Sequence, residues 1–369
     1  MNTPILTLTD STFTVTVHST QPTTPSVSFN CSTDQTVLEV ALAKGLILPY
    51  GCKNGACGSC KAPLNSGTVS HIYDNTTVRS AESEHSVLLC CARPTSDITI
   101  TARLASVESD YPIKKLPSRI ASITRVTPDV AIVKLQLPAA EKLAFKAGQY
   151  LEFILKDGSR RAYSMANAAH SLAEVPLNQI ELHIRHTQGG LFTDALFGVE
   201  GSQLTIKEKD IMRIEVPHGT FYLRDADLDK PNQAMVMLAS GTGFAPIKAM
   251  IEYSLVMGYT RPIYFYWGGR QLHDLYAHDL ALSWAAQHAH IQYIPVLSEA
   301  SNASNWQGRT GLVHQAVMSD YPDLSQYQVY ACGAPIVVSS AQRDFTTLCA
   351  LPSDAFFADS FTSKADGIA

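Results

Sequence analysis

Gly51-Cys52-Lys53-Asn54-Gly55-Ala56-Cys57-Gly58-Ser59-Cys60-Lys61 carries three cysteines spaced C-x4-C-x2-C, and Cys90, with Cys91 beside it, follows after twenty-nine intervening residues. This spacing suits a 2Fe-2S cluster, in which three thiolates from one tight loop and one from a distant strand share two irons. Gly51, Gly55 and Gly58 let the loop bend so that backbone N–H groups point at the sulfurs, and such hydrogen bonds help to set a cluster's potential. A structural zinc site would favour paired C-x2-C units, and only Cys57 and Cys60 form one. The spacing leaves the fourth ligand open between Cys90 and Cys91, while Cys31 and Cys349 read as ordinary buried thiols.

Outward from this loop, the 369-residue chain is 46% apolar and 17% charged, enough for two or three domains with separate cores. A formal net charge of −5, without any basic cluster interleaved with aromatics, argues against a nucleic-acid partner. The first thirty residues lack the basic and apolar pattern of a signal peptide, and the apolar runs fall short of the ~18 residues that span a bilayer. The expectation is a cytoplasmic protein without membrane insertion. Eight cysteines concentrated around one loop point to metal and not to a disulfide scaffold.

Residues 12–17 and 26–30 alternate at period two around Pro22 and Pro25, which predicts two strands after a leader ending near Thr9. Residues 36–45 have apolar residues at helical spacing, with Asp34 as the expected N-cap and Gly45 as the stop. With the cysteine loop they compose a small β-grasp module over 10–104. Residues 105–117, with two prolines and a lysine pair, read as a linker. Short β-branched runs then recur over 118–224, at 131–137, 150–155, 180–185 and 203–207, as in an antiparallel barrel. After an Asp/Pro-rich stretch at 225–232, apolar runs at 234–239, 263–267, 291–296 and 328–331 alternate with helical segments. This predicts a parallel-sheet α/β domain over 232–369. The fold class is therefore multidomain, α+β and α/β.

Arg161-Ala162-Tyr163-Ser164 ends one barrel strand, and R-x-Y-S resembles the flavin motif of the ferredoxin–NADP reductase superfamily. The resemblance implies that Tyr163 stacks on the isoalloxazine of FAD, Ser164 hydrogen-bonds near N5 as a catalytic residue, and Arg161 forks onto the pyrophosphate. Gly189-Gly190-Leu191-Phe192-Thr193 opens a helix and resembles the family's second phosphate clamp. His183 and Arg185 lie on the strand leading to it, as flavin contacts do in similar reductases. Gly241-Thr242-Gly243-Phe244-Ala245-Pro246 follows an apolar strand and precedes a helix at 247–255. It matches the dinucleotide fingerprint only in part, because Pro246 takes the place of the third glycine, but it resembles the NAD(P)H loop of the same superfamily. In similar reductases the cysteine of the Cys332-Gly333-Ala334-Pro335 segment lies beside the nicotinamide, which implies a positioning role for Cys332. Arg270, after Tyr266-Trp267-Gly268-Gly269, ends another strand and could meet a 2′-phosphate; Asp274 could accept from a ribose 2′-OH. The balance is read as favouring NADH. Near the terminus, Phe356 or Phe357 is expected to shield the flavin face.

Cys90, Ala92 and Pro94 resemble the fourth-ligand segment of plant-type ferredoxins, which selects Cys90 over Cys91 and gives the ligand set Cys52, Cys57, Cys60 and Cys90. In order and coverage, the motifs resemble the three-domain reductases that serve Rieske-type oxygenases of the benzoate dioxygenase kind. The cysteine loop and Leu88-Leu89-Cys90-Cys91-Ala92-Arg93-Pro94 are still more similar to CDP-6-deoxy-3,4-glucoseen reductases, the partners of sugar dehydrases. The resemblance implies hydride transfer from NAD(P)H to FAD, then single electrons through the 2Fe-2S cluster to an oxygenase or dehydrase component. Lys53, Lys61 and Arg93 are candidate docking charges for an acidic partner. A free-standing flavin or ferric reductase and a non-turnover redox sensor are the competing functions.

Overall fold

Alternation at period two makes Val15 and Val17 fully buried in β1 (Thr12–Ser19), which pairs antiparallel with β2 (Val27–Ser32) so that Val15 faces Phe29. The computed structural model to which these strands belong describes residues 11–20, 24–53, 55, 58–74, 76–83, 85–104, 111–169, 178–224, 232–300 and 306–361. The expected leader before Thr9, most of the stretch 225–232 and Cys57 lie outside the described residues. The chain divides into two compact units, one holding residues 11–104 and the other 111–361.

In the first unit, α1 (Val37–Ala43) follows β2 and starts from a reciprocal cap. Thr36 Oγ1 accepts from the Glu39 N–H at 3.2 Å, and the Glu39 carboxylate accepts from the Thr36 N–H at 2.9 Å. The cap is therefore Thr36 and not Asp34, because only a residue three before an acidic side chain can close this box. The helix stops at Gly45, whose φ of +79° is the left-handed turn expected there. Then come β3 (Lys61–Ser66), β4 (Val69–His71), α2 (Thr76–Ser83), β5 (Ser86–Leu88), β6 (Ala92–Pro94) and β7 (Ile98–Ala102). The mixed sheet runs β2-β1-β7-β3-β5, with β1 parallel to β7, and β4 pairs with β6 as a separate ribbon. A helix on a mixed sheet is the β-grasp arrangement that the sequence predicts.

The second unit begins with β8 (Lys114–Thr127), β9 (Val130–Gln136), β10 (Tyr150–Ile154), β11 (Arg160–Ser164), β12 (Gln179–Arg185), α3 (Leu191–Phe197) and β13 (Ile211–His218). These strands form an antiparallel sheet in the order β11-β10-β13-β8-β9-β12. Its two edges meet where Met165 bridges to Leu182 and the Ala166 N–H donates to the Glu181 carbonyl at 2.8 Å. Inside the curl, Leu151, Phe153, Leu182, Ile184 and Ile214 are fully buried. Two expectations fail here. Lys114 to Pro117 belong to β8 and pair with Arg213 to Val216, so they are strand and not linker. Residues 203–207 form no strand; the sheet uses Ile211–His218 in its place.

The rest of the second unit is a parallel sheet with helices between its strands: β14 (Met235–Ser240), α4 (Phe244–Val256), β15 (Ile263–Gly269), α5 (His278–Gln287), β16 (Ile291–Leu297), β17 (Arg309–Thr310), α6 (Val313–Asp320), β18 (Gln328–Gly333), α7 (Pro335–Leu348) and β19 (Phe356–Ser360). The order is β17-β16-β15-β14-β18-β19. Met235 to Ala239 are all fully buried, as a strand covered on both faces must be. Each such side chain contributes about 1.5–3 kcal/mol of burial. The chain steps outward from β14 to β17 and returns to β18 on the other side, so a crevice opens at the carboxyl ends of β14 and β18. No helix among the described residues is long and apolar enough to cross a membrane.

Candidate redox site

In the first unit the cysteine loop turns through three left-handed residues, Lys53 at φ +60°, Gly55 at +76° and Gly58 at +74°. Only glycine takes this conformation freely, so Gly55 and Gly58 are required where they stand. The loop ends as the Lys61 N–H donates to the Gly58 carbonyl at 2.9 Å, and the Leu89 N–H then donates to the Cys60 carbonyl at 3.1 Å. These bonds bring Cys60 and Cys90 Sγ to 3.2 Å of each other, both buried and both free thiols. The neighbouring Cys60 and Cys91 thiols pull the Cys90 thiol down to about 4, against the opposing effect of burial. Cys91, fully buried, also donates its Sγ–H to the Leu88 carbonyl at 3.5 Å. Cys52 is half-buried. Two thiols this close, one readily ionised, on a loop wound by left-handed residues, fit the thiolate ligation of an iron–sulfur cluster. Lys61 is exposed, whereas Lys53, whose Nζ lies 5.4 Å from the Tyr50 ring centroid, and Arg93 are both half-buried and offer less charge to a partner than expected.

In the second unit, β11 carries Ser164 to the carboxyl end of its strand, where Ser164 is 5% exposed and its Oγ has no hydrogen-bond partner among the described residues. A buried hydroxyl without a partner costs ~1–3 kcal/mol, so an acceptor or donor from outside the chain belongs there. The residues therefore fit a bound flavin at this point. Tyr163 packs against Phe192 at 5.3 Å and Phe153 at 5.9 Å, and burial pushes its phenol up. Arg161 lends one donor to the Arg160 carbonyl. Gly189, at φ +76°, leaves open space beyond its Cα, and Gly190 precedes α3. Leu191 is half-buried and packs against the barrel core. Phe192 stacks on Phe153 at 4.8 Å and Thr193 Oγ1 donates to the Thr187 carbonyl at 2.9 Å. Phe192 and Thr193 thus hold the turn, Gly190 is closed in by Thr193 Oγ1 and donates its N–H to the Thr187 carbonyl at 2.9 Å, and only Gly189 faces open space.

At the reversal point of the parallel sheet two turns meet with no room for a side chain. A Cβ on Gly243 would lie 2.1 Å from the Cys332 carbonyl oxygen, and one on Gly333 would lie 2.5 Å from the Ser240 oxygen. Gly241 is fixed by Trp267, whose Nε1–H donates to its carbonyl at 3.1 Å, and Trp267 stacks on Phe244 at 4.1 Å. Thr242 is buried within the same turn. A Cβ on Gly241 would meet the Arg185 guanidinium at 3.4 Å, so Arg185, from the antiparallel sheet, reaches the dinucleotide turn. Its partners there are Asp129 at 3.4 Å and Asp274 at 3.6 Å. Cys332 is fully buried, and burial raises its thiol well above the ordinary range, which leaves it neutral.

His183, Phe356 and Phe357 are taken up by contacts within the protein. His183 Nε2 bonds the Glu181 carboxylate at 3.0 Å and its Nδ1 meets the Tyr276 hydroxyl at 2.8 Å, so both ring nitrogens are used within the protein. Asp274 is 5% exposed and accepts from the Arg270 and Gln271 N–H groups at 2.9 and 3.0 Å through the one oxygen Oδ2, while the Arg270 side chain is 64% exposed. Phe357 lies lower on β19, opposite Tyr330, where it stacks at 5.0 Å, with the Arg224 guanidinium 5.0 Å away. Phe356 is buried against Phe345. The aromatic residue at the carboxyl end is Phe361, whose N–H donates to the Gly333 carbonyl at 2.9 Å. Beside it Ser360, paired with Gly333, buries an Oγ without a hydrogen-bond partner among the described residues. Both lie in the aromatic terminal segment Phe356-Phe357-Ala358-Asp359-Ser360-Phe361, in which the Phe356-Phe357 pair is the more conspicuous signal.

Comparison with known proteins covers nearly the whole chain. Residues 21–95 match the 2Fe-2S iron-sulfur cluster binding domain, 117–222 the oxidoreductase FAD-binding domain and 237–343 the oxidoreductase NAD-binding domain. A CDP-6-deoxy-L-threo-D-glycero-4-hexulose-3-dehydrase reductase from Yersinia pseudotuberculosis is 37% identical over 335 residues, 91% of this chain and 95% of the relative. Reductase component 1 of terephthalate 1,2-dioxygenase from a Comamonas species is 31% identical over 92% of this chain and 96% of its own length. Among solved structures, the Amycolatopsis cytochrome P450 reductase GcoB aligns over 95% of this chain and 99% of its own, with a TM-score of 0.71 and 28% identity.

Proposed function

The chain belongs to the oxidoreductase family that joins a 2Fe-2S domain to FAD-binding and NAD-binding domains, and from that premise we propose that it supplies single electrons from NAD(P)H to a separate oxygenase or sugar-dehydrase component. When bound, FAD takes the hydride and releases its two electrons singly, and the cluster relays them outward. Ser164 Oγ orients the flavin near N5, and Arg161 with the Gly189 backbone holds the pyrophosphate, Gly190 shaping the turn that presents it. Tyr163 offers the ring on which the isoalloxazine stacks. Gly241, Thr242, Gly243 and Gly333 let the nicotinamide approach the backbone, neutral Cys332 sets its position without acting as a nucleophile, and Phe361 covers the open side. Cys52, Cys57, Cys60 and Cys90 ligate the cluster. Lys61, with the half-buried Lys53 and Arg93 beside the cysteine loop and its partner strand, forms part of the docking face for an acidic partner. The nicotinamide donor and the free thiols Cys31 and Cys349 agree with a cytoplasmic setting.

The observation that carries this reading is the meeting of Gly243 with Cys332 at the reversal of the sheet, with Arg185 from the flavin-binding sheet against the same turn. Replacing Cys90 with Ser in the full chain provides the test. Electron flow from NADH to ferricyanide, which needs only the flavin, is expected to persist, while reduction of cytochrome c or of the partner is lost. Persistence of both would show that the cluster is not the exit, and the protein would then be a free-standing flavin or ferric reductase.

A further inference from the structure

Lys248 stands on α4 four residues after the helix leaves the Gly241–Gly243 turn, is 9% exposed, and points away from its own domain. Its Nζ donates to the Ala166 carbonyl at 3.1 Å and to Glu252 at 2.8 Å, and lies 3.3 Å from Glu181. Ala166 is two residues beyond Ser164, on the backbone where the antiparallel sheet joins its edges. The contacts continue: Glu181 accepts from His183 Nε2, and His183 Nδ1 accepts from the Tyr276 hydroxyl. Tyr276 sets its edge against Trp267 at 5.3 Å, the residue that fixes Gly241. Burial and the Lys248 charge hold His183 below its usual range, consistent with a neutral ring that can accept from Tyr276. The same chain therefore leaves the nicotinamide turn at Lys248, crosses the end of the flavin strand, and returns to that turn through Tyr276.

We propose that Lys248, acting through Ala166, Glu181, His183 and Tyr276, is a positioning residue that sets the nicotinamide turn against the flavin strand for hydride transfer. A buried ammonium is an unusual choice for helix-to-sheet packing that apolar residues could provide, and its three oxygen partners come from both domains. Directional bonds fix distance and tilt where apolar contact would let the two elements slide, and hydride transfer depends on that distance. The inference rests on the assignment of Ser164 and Gly241–Gly243 to flavin and nicotinamide.

The test compares the wild-type holoprotein with Lys248→Met by anaerobic stopped-flow flavin reduction and by hydrogen exchange without donor. Met matches the length of the stem and removes the charge and donors. Flavin reduction is expected to slow by about 10- to 100-fold, the range that misplacement on the order of 1 Å produces. Electron flow from chemically reduced flavin to the cluster stays unchanged, and exchange rises together in the peptides spanning residues 160–166 and 241–252. A rate within about twofold of wild type, or faster exchange confined to α4, overturns the proposal. Should Lys248→Met fail to retain FAD, Tyr276→Phe decides, since it removes only the hydroxyl at the other end of the chain of contacts; it is expected to slow flavin reduction severalfold, and an unchanged rate overturns the proposal. If the wild-type flavin itself is not reduced by either nicotinamide, it is the underlying site assignment that fails.

Discussion

Gly243→Ala changes one hydrogen to a methyl group at a position where the backbone makes no demand for glycine, since its φ of −56° and ψ of −12° suit any residue. The demand comes from across the crevice. The added Cβ would lie 2.1 Å from the Cys332 carbonyl oxygen, 2.4 Å from its carbon and 2.7 Å from the Gly333 nitrogen. All three are backbone atoms of a strand paired along its length to β14, so none can rotate aside as a side-chain end would. Restoring ordinary contact requires the turn and the start of α4 to retreat by roughly 1 Å, an overpacking strain of about 1–3 kcal/mol. The same retreat moves the nicotinamide turn from the flavin strand, and a misplacement of ~1 Å costs on the order of 100-fold in rate. Stopped-flow bleaching of the flavin by NADH, with a thermal melt to register the strain, is the assay. A variant that bleaches within about threefold of wild type, under 1 kcal/mol of barrier, would refute the claim that this close approach aligns the donor.

Arg160 joins Glu152 at 2.6 Å and Glu215 at 2.7 Å, and its hydrogen bond holds the Glu215 carboxyl down at about 2. A carboxyl lowered in the folded state contributes stability that is fully present above about pH 4.5 and is lost as pH falls toward 2. Arg160→Met is therefore expected to lose roughly 1–3 kcal/mol at pH 7, less than a fully buried pair because the arginine is partly exposed, and the gap to wild type should narrow at about pH 3. Urea denaturation of the holoprotein at the two pH values measures this, and equal midpoints at pH 7 would remove the proposed role. Thr36→Ala breaks the capping box and should destabilise the first unit by about 1 kcal/mol, lowering the temperature at which the cluster bands bleach. An unchanged bleaching temperature would mean that α1 does not limit the stability of that unit.

The cysteine spacing, the R-x-Y-S strand end and the G-T-G turn were legible because each is a local arrangement imposed by chemistry at fixed spacing. What sequence alone missed depends on partners far along the chain. The strand Ile211–His218 carries Arg213, Glu215 and Pro217, which disguise its alternation, and its charges make sense only beside Arg160 and Lys115. Residues 203–207 have a strand-like composition but no neighbour with which to pair. Asp34 and Thr36 are both good caps by type, and the position of Glu39 relative to the helix start selects Thr36. Asp274 is drawn inward by two backbone N–H groups of its own turn, which residue type cannot reveal. The terminal aromatic depends on register: opposite Cys332 stands Asp359, so Phe361 and not Phe357 reaches the carboxyl end of the sheet. Lys248 carries no motif, and only the fold brings it to Ala166.

The most direct test is an anaerobic titration of the purified protein with NADH and then NADPH, following the flavin and cluster absorbance bands in the same sample. A hydride-to-cluster pathway predicts that both sets of bands bleach with the first additions of donor. Flavin bleaching with persistent cluster bands would contradict transfer between the two centres, and a sample in which neither responds would contradict the reductase itself.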